Sequence, residues 1–550
     1  MTISNPVLTG FYADPSMIRV GDRYYLATST FEWWPGVTLH ESTDLAHWTP
    51  LPSPLNRTTQ LDMRGNPAGG GIWAPDLSYA DGKFWLVYTD VKGMSGNFTD
   101  LVNYLVTADD IRGPWSEPIR LNGVGFDASL FHDADGRKYL VQQTTDFREW
   151  RHSFNGITIT EYSVKERRLL PETMRTLWEG TDVKVVEGPH LYRIGDWYYL
   201  FCAEGGTSWE HQESVARART LDGPFETMPG NPFISNFTTP DFGLQKQGHG
   251  SLVETPEGEW YYASLCGRPW HHPTEPVHGT RGWCTLGRET AIQKVTWDSD
   301  GWPRIVGGPA GMMTVPGPGE SAGNDSSASM VPASVTVAEP RHFHDSFTDD
   351  SLEIGWNTQR VPFAPTMGET GQGRLKLVGQ GSLTDRFDLS LVARRWRDFA
   401  FDARVSVEFR PTFYQQMAGL TNYYSDLFWS WIYVTWDAER GCRVIDVAQN
   451  DFHQYTTFLR DKAIPVPDDV ERVTFRTRVR TQTYTYDYSF DDGATWQPTG
   501  IGLDAKILSD DYVMSKYWGF FTGAFVGMAC VDMTRYGQAA TFRDFDYRAV

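Results

Sequence analysis

Apolar and polar positions alternate with a period of two along most of the chain, and the 3.6-residue spacing of an amphipathic helix is nearly absent. The alternation comes in repeated units: a small or acidic opening, an apolar segment, a polar turn with Gly or Asp, then an aromatic-rich strand. Five copies can be written out: DPSMIRVGDRYYLA from Asp14, APDLSYADGKFWLVY from Ala74, DASLFHDADGRKYLV from Asp127, EGPHLYRIGDWYYLF from Glu187 and HGSLVETPEGEWYYA from His249. Each predicts a hairpin, because Gly21-Asp22, Asp81-Gly82, Asp135-Gly136, Gly195-Asp196 and Glu257-Gly258 separate runs of β-branched and aromatic residues. The copies recur about 60 residues apart, enough for a four-stranded blade with its loops. Five copies predict an all-β fold that begins with a five-bladed β-propeller.

The pattern breaks after residue 315, where VPGPGESAGNDSSASMVPASVTVAEP is rich in Pro, Gly, Ser and Ala and suits an extended linker. Alternation then returns: Phe399, Phe401, Val405, Val407 and Phe409 in one stretch, Tyr484, Tyr486, Tyr488 and Phe490 in another. The apolar segment 518–531 reads as buried strand, being too short and too interrupted to span a bilayer. The expected organisation is a propeller over 1–315, a linker over 316–340 and a C-terminal β-sandwich over 341–550.

Charge narrows the partners. With 49 Lys and Arg against 69 Asp and Glu, a net −20 repels phosphate backbones and anionic membranes, so neither nucleic acid nor membrane is expected. The 14% aromatic content suits stacking on a neutral ligand, although β-rich cores use the same rings. Five scattered cysteines without CxxC spacing fit a reducing compartment and argue against disulfides or a zinc site. The start MTISNPVLTGFYADPS shows no export signal, so the expected location is cytoplasmic.

In a propeller the innermost strands line a central funnel, and matching positions of the blades face one axis. Here those positions hold Asp14, Ala74, Asp127, Glu187 and His249. Turn formation would account for Asp, but three gathered carboxyls raise one another's pKa and call for a chemical reason. Glycoside hydrolysis uses this inventory: a protonated acid at the leaving oxygen and a carboxylate across the sugar, with a third group to tune them. Phosphate-cradling GxxxxGK[ST], a GxSxG elbow and HExxH are all missing from the sequence.

The segments FYADPS, GGIWAPDLSYADGKFWLVYTD, GFDASLFHDADGRKYLV, EGPHLY, GHGSLVE and LGRETAIQKV resemble glycoside hydrolase family 43, in its two-domain β-xylosidase branch. The resemblance implies that Asp14 is the general base, Glu187 the general acid, and Asp127 the residue that orients the acid and tunes its pKa. It implies inversion, with acid and base roughly 6.5 to 9.5 Å apart, and a Glu187 raised by burial and by the Asp127 charge. Arg288 in LGRET resembles the family arginine that contacts sugar hydroxyls. Phe31 and Trp73 are expected as apolar walls of the pocket, with Thr207 lining it and Phe525 in FFTGAFVG closing it. His249 has two functional readings, a hydrogen bond to the acid or water-mediated contact with calcium; a core histidine is the structural one. No cofactor is required by the resemblance, and a homo-oligomer is expected.

The activity implied is release of D-xylose from the non-reducing end of β-1,4-xylo-oligosaccharides. An α-L-arabinofuranosidase, as main or side activity, uses the same residues. The retaining, invertase-like five-bladed enzymes fit less well, since an Arg-Asp-Pro motif is missing, and a non-catalytic carbohydrate-binding propeller would not need all three carboxyls.

Overall fold

The computed structural model describes residues 1–95, 98–271, 281–320, 341–364 and 366–550. They fall into two units: the first holds Met1–Phe31, Gly36–Pro269 and the residues from Arg288 to 320, the second Glu32–Pro35, the described part of Trp270–Gly287 and residues 341–550.

The first unit is the five-bladed propeller. Its innermost strands are Ala13–Val20, Gly71–Ala80, Ser129–His132, Glu187–Ile194 and Gln245–Glu254, each opening an antiparallel sheet of four or five strands. Both faces of these sheets carry apolar side chains, and each face is buried against the next blade. Trp85 and Val87 of the second blade pack with Leu130 and Leu140 of the third. Val141 and Ile157 of the third pack with Leu200 and Ala216 of the fourth, and Phe201 and Val215 of the fourth with Tyr262 and Val295 of the fifth. Tyr261 and Ile292 of the fifth return to Met17 and Leu26 of the first, together with Ile3 and Val315. Each fully buried side chain of this size contributes about 1.5–3 kcal/mol, so the interblade clusters dominate the unit's stability.

The ring closes through the ends of its own chain. Thr2–Ser4 pairs with Thr314–Pro316, Asn5 N donates to Met313 O at 2.8 Å, and Asn5 Nδ2 donates to Ile292 O at 2.8 Å. The expected linker therefore starts later than 316: Gly317 N donates to Met1 O at 2.9 Å and Gly319 N to Glu259 Oε2 at 2.7 Å. The remainder of that expectation, 321–340, lies outside the described residues. The unit boundary also differs from the expected single cut, because Glu32–Pro35 and 281–287 group with the second unit. Trp33–Trp34 pairs with Thr358–Gln359, and Cys284 N donates to Asp511 Oδ2 at 2.8 Å.

The second unit contains an eight-stranded and a seven-stranded antiparallel sheet, the expected β-sandwich. Phe401, Val405 and Val407 are buried from the strand Ala400–Glu408, and Tyr484 and Tyr486 from Thr483–Ser489. Asn422 Nδ2, from the other sheet, donates to Tyr486 Oη at 2.9 Å. Within 518–531 only the later part is buried strand, Phe525–Asp532; Trp518 is exposed. Among the described residues, α-helix is confined to Asp510–Met514.

Candidate active site

Four of the five innermost propeller strands carry a bulge near their start; in the third, Ser129–His132 pairs in continuous register and the left-handed residue, Asp127, precedes the strand. Pairing shifts register between Ala13 and Ser16, Trp73 and Asp76, Glu187 and His190, and Gly248 and Gly250. At the five matching positions the backbone enters the left-handed region: φ is 53° at Asp14, 31° at Ala74, 52° at Asp127, 57° at Gly188 and 47° at His249. A non-glycine residue pays of order 1–3 kcal/mol for such a conformation, and bulges re-aim side chains beside active sites.

This pattern corrects the sequence alignment of the fourth blade. Gly188, not Glu187, is the backbone equivalent of Asp14, and Glu187 stands one residue earlier, where the second blade has Trp73. The offset has a steric reason. Gly188 lies against His249, and a Cβ on it would fall 2.8 Å from His249 Cδ2, so the acid cannot share the bulge position.

Asp14, Asp127, Gly188 and His249 border one small cavity on the propeller axis. Ser29 Oγ donates to Asp14 Oδ2 at 2.6 Å and accepts from Ala74 N at 2.8 Å, tying the first two blades at the site. His249 Nδ1 is 3.6 Å from Asp14 Oδ1 and 3.9 Å from Asp127 Oδ2. Gly188 N donates to Asp127 Oδ2 at 3.1 Å, which links Asp127 to the strand that carries Glu187.

Burial pushes the Glu187 carboxyl up to about 8; the Asp14 charge adds to the rise and the Arg288 guanidinium opposes it. Asp127 is also raised well above the usual carboxylate range, by burial first and then by the charges of Glu187 and Asp14. The expected burial effect is present, and the charge that adds to it is that of Asp14, where Asp127 was expected. Burial lowers His249 to about 4, so its imidazole is neutral near pH 7. The arrangement holds one carboxylic acid ready to give a proton, next to two further carboxyls.

The other candidates divide. Arg288 is buried and its charge reaches Glu187, Asp127 and His249. Phe31 and Trp73 belong to one aromatic cluster, with ring centroids 6.2 Å apart and Phe11 and Phe126 on either side. Thr207 lies in the turn after Trp197–Glu204, and its shielded Oγ1 makes no hydrogen bond within the described protein. Phe525 is fully buried in the second unit, stacked on Trp33 at 3.6 Å. That stack holds its ring by packing within the second unit. Ser29 and Gly188 escape sequence reasoning because neither residue type announces a role.

The model of the glycosyl hydrolases family 43 matches residues 3–303, and that of the beta xylosidase C-terminal concanavalin A-like domain matches 344–548. The chain is 47% identical over 550 residues to a beta-xylosidase of Bacillus subtilis (strain 168), covering 100% of both. It is 40% identical over 554 residues to xylosidase/arabinosidase 43B of Humicola insolens, covering 100% of this chain and 98% of that one. It is also similar to the crystal structure of xylan beta-1,4-xylosidase from Bacillus halodurans C-125, with TM-score 0.90, 44% identity, and coverage of 99% of this chain and 100% of that one.

Proposed function

The chain belongs to glycosyl hydrolases family 43, and from that membership we propose that it is an inverting β-xylosidase, releasing D-xylose from the non-reducing end of β-1,4-xylo-oligosaccharides. The observation that carries this reading is an acid at Glu187, raised to about 8, within electrostatic reach of the Asp14 and Asp127 carboxyls that border one cavity. Glu187 protonates the glycosidic oxygen as the bond to the anomeric carbon breaks. Asp14 takes a proton from the water that attacks the opposite face, and Asp127 holds the acid's strand through Gly188 N. Arg288, Phe31 and Trp73 are assigned to substrate.

Proton NMR of the first product tests it. Turnover of β-1,4-xylobiose should yield α-xylose from the non-reducing sugar before mutarotation. Initial β-xylose would mean a covalent intermediate and make Asp14 a nucleophile.

An α-L-arabinofuranosidase activity is the second reading, favoured by the arabinosidase in the name of the Humicola relative; the ratio of kcat/KM on aryl xyloside and aryl arabinofuranoside decides between them. We further propose that catalysis needs no metal. His249 is packed on Gly188 and faces two carboxyls, and among the described residues no group of three His, Cys, Asp or Glu side chains is arranged to hold an ion. Dialysis against EDTA should leave kcat unchanged; a loss restored by calcium would reverse this assignment. A cytoplasmic location and a homo-oligomer complete the reading on family resemblance, the latter to be read by sedimentation velocity.

A further inference from the structure

Two residues beyond the left-handed position, the five blades carry Ser16, Asp76, Ser129, His190 and Ser251. All five border a second cavity, of about 380 Å³, one layer along the axis from the carboxyls. Three of them, Asp76, Ser129 and His190, border the catalytic cavity as well.

Hydrogen bonds at this level cross every blade boundary. Leu77 N donates to Ser16 Oγ at 3.0 Å, and Ser16 Oγ donates to Asp76 Oδ1 at 3.1 Å. Leu130 N donates to Asp76 Oδ2 at 2.8 Å, and Ser129 Oγ donates to Pro189 O at 2.6 Å. Leu252 N donates to Tyr192 Oη at 2.8 Å. Ser251 Oγ donates to Pro15 O at 2.9 Å, and Met17 N donates to Ser251 Oγ at 2.6 Å. The result is a closed belt of side-chain to backbone bonds.

Asp76 differs from the rest of the belt because one carboxyl meets three other blades. Its Oδ1 takes Ser16 of the first and lies 3.4 Å from His190 Nδ1 of the fourth, while Oδ2 takes Leu130 of the third. These contacts fall two residues from Asp14, three from Asp127 and three from Glu187 along their strands. We propose that Asp76 is a positioning residue, whose carboxyl sets the spacing of the three catalytic carboxyls through Ser16, Leu130 and His190.

The inference rests on the hydrolase reading but not on the identity of the sugar. Variants are therefore compared with wild type on whichever glycoside wild type cleaves, so a wrong sugar changes the substrate and not the ratio. D76A should lower kcat by about 10²-fold, the scale of an ångström-sized misplacement, with KM within about threefold of wild type. D76N should stay within about fivefold. Its amide oxygen can take the Leu130 N–H while its NH₂ donates to Ser16 Oγ and His190 Nδ1, both able to accept. Circular dichroism and thermal melting report the folded fraction. D76A at wild-type kcat overturns the proposal, as does D76N as impaired as D76A, or a loss that tracks only the unfolded fraction. If D76A does not fold, S16A decides: the expected result is a kcat lower by about tenfold with KM unchanged, and wild-type kcat overturns the proposal.

Discussion

At the scale of single residues, the site depends on one carboxyl being kept protonated where an exposed glutamate would be ionised. Glu187 near 8 is the acid form at neutral pH, so its contribution is complete below about 8 and lost as pH rises through that value. The kcat/KM profile should therefore fall on its alkaline side near pH 8. E187Q should remove that limb and lower kcat/KM by about 10²–10⁴-fold on xylobiose. On a 4-nitrophenyl glycoside the loss should be much smaller, since that leaving group departs without a proton. Equal losses on both substrates would show that Glu187 binds and does not donate. Ser29 offers a complementary test. S29A strips the Asp14 carboxyl of its 2.6 Å donor and Ala74 N of its acceptor, at a cost of about 1–3 kcal/mol in stability, read by denaturant unfolding.

At the scale of strands, the five left-handed residues, four of them at bulges, decide which side chains reach the axis. Gly188 makes this testable, because any Cβ there meets both a φ of 57° and the ring of His249. G188A should displace His249 or the Glu187 strand and lower kcat by about 10²-fold, with a measurable fall in Tm; wild-type kcat would show that the bulge tolerates side chains. The bulges also mark the limit of what the sequence discloses. Hairpin turns and alternating strands were legible, since Gly-Asp and Asp-Gly pairs between aromatic runs have one local solution. Asp14, Asp127 and Glu187 stood out because charge at an axial position is chemically conspicuous. The one-residue offset of Glu187 was not legible, because a bulge adds a residue without changing composition and a glycine at positive φ looks like any other glycine. Asp76 was hidden for a related reason: APD sits in the repeat two places past the conspicuous column, among serines.

At the scale of the whole molecule, chain order and unit membership part company at two places that matter for the site. Phe31 is followed directly by Glu32–Pro35, and Arg288 is preceded directly by 281–287, and both segments are held inside the second unit. Trp33 stacks on Phe525 there, and Ala524 N donates to Thr285 O at 3.0 Å. No composition shift announces this, because the deciding partners lie hundreds of residues away. The expectation that Phe525 closes the pocket and the packing seen around it now predict different outcomes for F525A. A wall residue would raise KM and leave Tm in place. A buried ring removed from its stack costs about 3–5 kcal/mol, enough to lower the Tm of the second unit on the order of 10 °C. The packing favours the second outcome. Because Trp33 is two residues from Phe31, a loss of kcat/KM should accompany the fall in Tm, and differential scanning calorimetry with kinetics on one preparation reads both. An unchanged Tm with a raised KM would return Phe525 to the substrate.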